Sequence, residues 1–243
     1  VLLRKPRAYA EVYNDLDEEV VNVFQVLRAP RLAEQLRRAV ALTAFARREF
    51  RGAYQPTTNR VERARRTIVR AFMGFGSASM TRMHITGFRF NTTRSGSTPA
   101  QDWHGWPAAI PAFVERLRGV VIEQRPALEV IEKFDNEHAL FYCDPPYVQA
   151  TRSSLRNHNG NRGHYYRCEM DDAAHRALAE RLHQARGLVV LSGYHSRLYD
   201  ELYQSWPRVE RRSMADGARE RTEVLWLSPR TDEALQAPMV AQG

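Results

Sequence analysis

The run Gly187-Leu188-Val189-Val190-Leu191-Ser192 is continuously apolar up to its last residue, the pattern of a strand covered on both faces. A doubly covered sheet needs helices on either side, which commits the chain to alternating strands and helices. The other periodicities agree. A short β-capable stretch at 8–13 stops at the polar turn Asn14-Asp15-Leu16-Asp17, and 18–27 has helical spacing with Val20, Val23, Phe24 and Leu27 on one face. Glu18 and Glu19 in its first turn suit the helix dipole. Further helices are predicted at 31–49, 60–73, 110–118, 127–134, 171–186 and 196–204, and strands at 120–122 and 138–143. A closing pair of strands, 209–214 and 222–227, is joined at Ala215-Asp216-Gly217. The fold class is α/β, with a mainly parallel sheet and an antiparallel edge. Val1-Leu2-Leu3 reads as the middle of a helix that Pro6 breaks, with sequence expected upstream.

The 243 residues, 43% of them hydrophobic, suffice for one large domain or a domain carrying an insertion, and exclude a disordered tail or a disulfide-stapled mini-protein. No apolar run approaches the roughly 20 residues needed to span a bilayer, so the expectation is a soluble, cytoplasmic protein. Cys143 and Cys168 stand in no CxxC pairing, which predicts neither a metal site nor a disulfide framework.

Charge is unevenly spread. Of the net +8, the segment 47–97 carries +9, with eleven arginines against Glu49 and Glu62, so the rest of the chain sums to about −1. A local arginine field points to a polyanion, and a solvated charged face is the plain alternative. From 50 to 107 the chain is rich in Gly, Ser, Thr, Asn and Arg. It reads as irregular or hairpin structure around the single helix 60–73, with Phe72 and Trp106 as core aromatics. Gly74-Phe75-Gly76 follows a helix instead of a strand, which argues against a dinucleotide loop. Residues 148–167, polar and rich in Gly and Asn, read as a loop that orders over a substrate.

The sharpest signal is Asp144-Pro145-Pro146-Tyr147 at the end of the strand Leu140-Phe141-Tyr142-Cys143. Asp-Pro-Pro is good turn chemistry, but a turn does not require an aromatic after it at the carboxyl end of a buried strand, where α/β sheets place their ligands. With EVYNDLDEEVVNVFQVLR, RTIVRAFMGFGS, TGFRFNTTRSG, FYCDPPYV, VVLSGYHSRLYDELY and DGARERTEVLWLSP, the chain resembles the Dam-like N6-adenine DNA methyltransferases of the alpha group, in particular phage and prophage members. The resemblance spans nearly the whole chain. It implies a Rossmann-like class I S-adenosylmethionine-dependent sheet. In it, 1–46 is part of the cofactor-binding region, 47–107 is an inserted basic target-recognition region and 108–243 is the catalytic half.

The resemblance also implies roles. The Asp144 carboxylate and the Pro145 carbonyl accept the two N–H groups of an adenine amino nitrogen, freeing its delocalised lone pair to attack the methyl group of S-adenosylmethionine. Pro146 stiffens the turn, and Tyr147 stacks on the base, which must leave the duplex to be reached. Asp15 holds the cofactor ribose, with Asp144 also beside the cofactor, although Asn14-Asp15 could simply form a turn and Asp17 could cap the next helix. Arg66, Arg70, Arg82, Arg89, Arg94 and Arg152 are expected to contact double-stranded DNA. No metal and no covalent intermediate are needed. Ser192 with His195 suggests a hydrolase pair, but there is no G-x-S-x-G elbow. The family's glycine-rich N-terminal blocks are not found in the chain, and Pro126 stands where an acid near the cofactor adenine is expected. Two alternatives stay open: an RNA or cytosine-N4 amino methyltransferase, and a catalytically inactive DNA-binding remnant.

Overall fold

The computed structural model describes residues 1–75, 85–90, 97–151, 167–215 and 219–237, the side chains of 213–215 and 219–221 excepted. The chain divides into two compact units, one of Val1–Arg125 with Arg167, the other beginning at Pro126.

In the first unit, β1 (Glu11–Asn14) and β2 (Val120–Glu123) pair in parallel, with Glu11 opposite Val120 and Asn14 opposite Glu123. Between them the described residues form α1 (Glu18–Arg28), α2 (Pro30–Ala41), α3 (Arg47–Gly52), α4 (Arg60–Met73), α5 (Pro99–Gly105) and α6 (Ile110–Leu117), the last preceded by a 3₁₀ turn, Trp106–Ala109. The caps explain the boundaries. Asp17 accepts from the Glu19 N–H and Asn59 from the Glu62 N–H, while Gly119, at φ +82°, turns the chain from α6 into β2.

The helix expected at 31–49 is two helices. Thr43 ends the first: its hydroxyl donates back to Ala39 O at 2.7 Å, and its carbonyl accepts the Trp103 indole N–H at 2.8 Å. Helix α5 lies in the stretch read as irregular. Thr98 and Gln101 form a reciprocal capping box there, with Pro99 in the first turn. The described residues of 47–107 do not pack as a separate core: Phe50, Ala64, Val69, Met73 and Trp103 share one core with Val26, Leu36 and Val40 of α1 and α2. Phe72 packs edge-on against Trp103 and Trp106 in that core. Helix α1 is enclosed on more than its expected face, with Val21, Asn22 and Val26 buried and Val20 only half-buried. Strand β2 is an edge strand, buried at Val120 and 45% exposed at Val121. Residues 1–5 form a single turn, with the Lys5 N–H donating to Val1 O at 3.1 Å.

Glu11 anchors β1. Arg116 grips it with two bonds of 2.7 Å, Lys5 forms an ion pair, and the Ala8 N–H donates to it at 3.3 Å. The Arg116 guanidinium leads in holding the carboxyl at about 2, against the opposing effect of burial. A depressed folded value gives stability that is full above the ordinary carboxyl value of 4.5 and drains as pH falls to about 2. Glu11→Gln should therefore flatten the fall of the urea midpoint across that window, measured as a pH series of unfolding curves.

In the second unit, β3 (Leu140–Cys143), β4 (Leu188–Tyr194), β5 (Arg208–Ala215) and β6 (Arg219–Leu227) form one sheet in the order β3-β4-β6-β5. Strand β3 runs parallel to β4, and β6 runs antiparallel to both β4 and β5, as the apolar run and the closing pair foretold. Helices α7 (Ala127–Phe134), α8 (Asp172–His183), α9 (Arg197–Leu202) and α10 (Pro229–Gln236) complete the unit. Val189, Leu191, Val224 and Trp226 form its core with Leu178, Leu182, Tyr199 and Tyr203. Strand β3 is an edge strand, with Leu140 and Tyr142 exposed and Phe141 and Cys143 half-buried.

Among the described residues no helix is long and apolar enough to cross a membrane, and no three His, Cys, Asp or Glu side chains cluster as a metal site would require.

Candidate active site

Strand β3 delivers Asp144-Pro145-Pro146-Tyr147 to its carboxyl end, and both sides of the turn are anchored. Cys143 pairs with Leu191 of β4, and Val148, 4% exposed, is set in the core. The Val148 carbonyl accepts the Thr151 N–H at 2.9 Å. Between these anchors Asp144 is exposed and Pro145, Pro146 and Tyr147 are half-buried.

The parallel register brings Ser192 alongside Asp144, because Cys143 pairs with Leu191 one residue earlier. The Ser192 hydroxyl donates to Asp144 Oδ1 at 2.7 Å. Two residues on, Tyr194 meets the Tyr147 ring at 4.4 Å between centroids and 65° between planes. Gly193 separates them for a steric reason: a Cβ there would lie 3.0 Å from the Tyr199 ring and 3.3 Å from Trp226. Burial, followed by the Asp144 charge, pushes the Cys143 thiol up to about 12, so it stays protonated and is no nucleophile. The Ser192–His195 pair does not form a hydrolytic dyad. His195 turns its ring nitrogens to Asp200 at 3.4 Å and Glu210 at 2.9 Å, while Ser192 turns to Asp144.

In the other unit, Asp15 directly follows β1. Its Oδ1 accepts the Asp17 N–H at 2.8 Å and its Oδ2 the Tyr13 hydroxyl at 3.2 Å. Burial raises the Asp15 carboxyl above its ordinary value, with the Asp17 and Tyr13 hydrogen bonds opposing. Asp17 is the cap of α1, so the two acids have separate tasks. Glu123, which sequence reading passed over, ends β2 opposite Asn14 and supplies an acid three residues before Pro126, itself the residue before α7.

Residues 1–215 match the sequence model of the family described as D12 class N6 adenine-specific DNA methyltransferase. The chain belongs to that family. No curated protein matches it. This D12-class enzyme is a site-specific DNA methyltransferase that transfers a methyl group from S-adenosylmethionine to the N6 amino group of adenine, and the family implies that the base is flipped out to be reached. Family membership also implies the class I S-adenosylmethionine-dependent fold, and the structure is accordingly mixed α/β.

The arginines of this methyltransferase require revision. Arg70 is completely enclosed, 0% exposed; it donates to Glu19 Oε2 at 2.8 Å and to Ala53 O at 2.6 Å, and so cannot reach DNA as the sequence suggested. Arg66 is bound to Glu62 at 2.6 Å and to the Gln55 carbonyl at 2.7 Å. Arg89 is half-buried beside the end of α4, its N–H donating to Met73 O at 2.6 Å. Arg82, Arg94, Arg152 and most of the expected substrate-covering loop lie outside the described residues. Two more arginines of α4 are paired within the fold: Arg63 with Glu18 of α1 at 2.6 Å, and Arg65 with Glu49 of α3 at 3.1 Å. On α3, Arg48 and Arg51 are exposed.

Proposed function

We propose that the amino group is oriented at the carboxyl end of β3, where Asp144 and the Pro145 carbonyl accept its two N–H bonds and Tyr147 stacks on the extruded base. The observation that carries this is the state of Asp144: an exposed carboxylate with one oxygen engaged by Ser192, beside an aromatic ring braced by Tyr194. An exocyclic amino nitrogen is a weak nucleophile because its lone pair is delocalised. Two fixed acceptors draw its hydrogens into defined directions and favour the pyramidal nitrogen whose lone pair can attack. Pro145 and Pro146 limit the backbone freedom of that turn, so little ordering remains to be done during reaction.

Asp15 is proposed to hold the cofactor ribose. An ionised carboxylate offers about four acceptor sites, and hydrogen bonds from Asp17, Tyr13 and Leu16 use three, so one ribose hydroxyl can still be received. S-adenosylmethionine, when bound, supplies a methyl group activated by its sulfonium. We read the sheet as Rossmann-like and residues 47–107 as the target-recognition region. Phosphate contacts are assigned to the exposed Arg48 and Arg51 of α3, with Arg66 and Arg89 as secondary contacts. Arg82, Arg94 and Arg152 remain DNA contacts by sequence alone, and the enzyme is read as cytoplasmic.

Nucleoside analysis of methylated plasmid DNA tests the site chemistry. N6-methyladenine as the product, lost in Asp144→Asn, supports the reading. N4-methylcytosine would transfer the same amino-group chemistry to another base and overturn it.

A further inference from the structure

We propose that Ser192 is a positioning residue for methyl transfer, acting through Asp144. The inference rests on Asp144 being the acceptor for the amino group. An aspartate carboxylate turns easily about its last torsion, and an exposed one has no neighbour to stop it. In this protein a neighbour exists. Ser192 lies in β4, inside the sheet, where its backbone pairs with Leu225 of β6, and it is 8% exposed. Its single hydroxyl proton goes to Asp144 Oδ1 at 2.7 Å in preference to the Cys143 carbonyl at 3.5 Å, the length of a charge-assisted bond. With Oδ1 fixed, the plane of the carboxylate is fixed, and Oδ2 is left to receive the substrate N–H.

The position itself argues for the hydroxyl. Every residue from Leu188 to Leu191 is aliphatic, and the strand leaves that pattern at Ser192, a buried site where a hydroxyl is costly unless it is bonded. Among the described residues the adjacent Gly193 has no side chain to offer Asp144 in its place.

The test compares wild type, Ser192→Ala, Ser192→Thr and Asp144→Ala on plasmid DNA lacking adenine methylation, reading kcat, KM for DNA, DNA Kd and Tm. Ser192→Ala is expected to lower kcat by about tenfold to a hundredfold, the penalty of a misdirected reacting group, with KM, Kd and Tm near wild type. Ser192→Thr, which keeps the hydroxyl, should recover most of the loss. A Ser192→Ala kcat within about twofold of wild type would overturn the proposal, as would a fall shared equally by Kd or Tm, or a threonine variant as slow as the alanine one. If Asp144→Ala is inactive while Ser192→Ala is normal, only this inference fails. If Asp144→Ala stays active, the assignment of the site fails with it.

Discussion

Asp144→Ala is expected to lower the rate of methyl transfer by about a hundredfold to a thousandfold, the usual cost of removing one preorganised polar group from a reacting centre. DNA affinity should remain within about twofold of wild type, because affinity for duplex DNA comes mainly from cations on phosphates, and a carboxylate supplies none. The structure explains why the fold should survive. Asp144 is exposed, lies beyond the last paired residue of β3, and is bracketed by Cys143 in the ladder and Val148 in the core. The substitution therefore removes an acceptor and leaves the turn. Rates measured with saturating cofactor, together with DNA affinities by anisotropy, check both halves of the expectation.

The largest expected effect on stability is that of Arg70→Met. The Arg70 and Glu19 side chains are 1% and 8% exposed, and their ion pair spans 2.8 Å between α4 and α1. The Thr67 hydroxyl also donates to Glu19 Oε2, at 3.1 Å, so the carboxylate is held by a small buried network. Removing the cation strips that carboxylate of its charged partner in a dry site, which costs about 3–5 kcal/mol. Removing both charges together, in Arg70→Met with Glu19→Leu, should return most of the loss, because apolar groups of similar volume replace a pair that was expensive to bury. Urea unfolding of the single and double variants measures this. The same proteins settle the role of Arg70 toward DNA: a phosphate contact would reduce the salt slope of binding by about one. The expectation is an unchanged slope, since the side chain is enclosed.

The sheet was legible because its signals are local. The apolar run at β4 announces itself through its composition, the strand before Asp144 through the Asp-Pro-Pro turn that ends it, and Asn59 marks the start of α4 at the residue where the periodicity begins. The break between α2 and α3 was not legible, since it depends on the Trp103 indole reaching the Thr43 carbonyl from 60 residues away. Helix α5 could have been found, because Thr98-Pro99-Ala100-Gln101 is a capping-box signature that the surrounding Gly, Ser and Arg obscured. For the proposed site, the order Asp-Pro-Pro-Tyr after a strand is the signal that singles out Asp144. The role proposed for Ser192 was not legible, because a lone hydroxyl within a strand carries no periodic signal and its partner belongs to a different strand. The fates of Arg63 and Arg70 were not legible for a related reason: their partners, Glu18 and Glu19, reach α4 from α1.

The most direct test of the account is a single-turnover assay of methyl transfer from radiolabelled S-adenosylmethionine to unmethylated duplex DNA, run with wild type and Asp144→Ala side by side. Label in adenine N6 is expected with the wild type, and a rate lower by about a hundredfold or more with the variant. Equal rates for the two proteins would contradict it and remove the end of β3 as the place where the amino group is oriented.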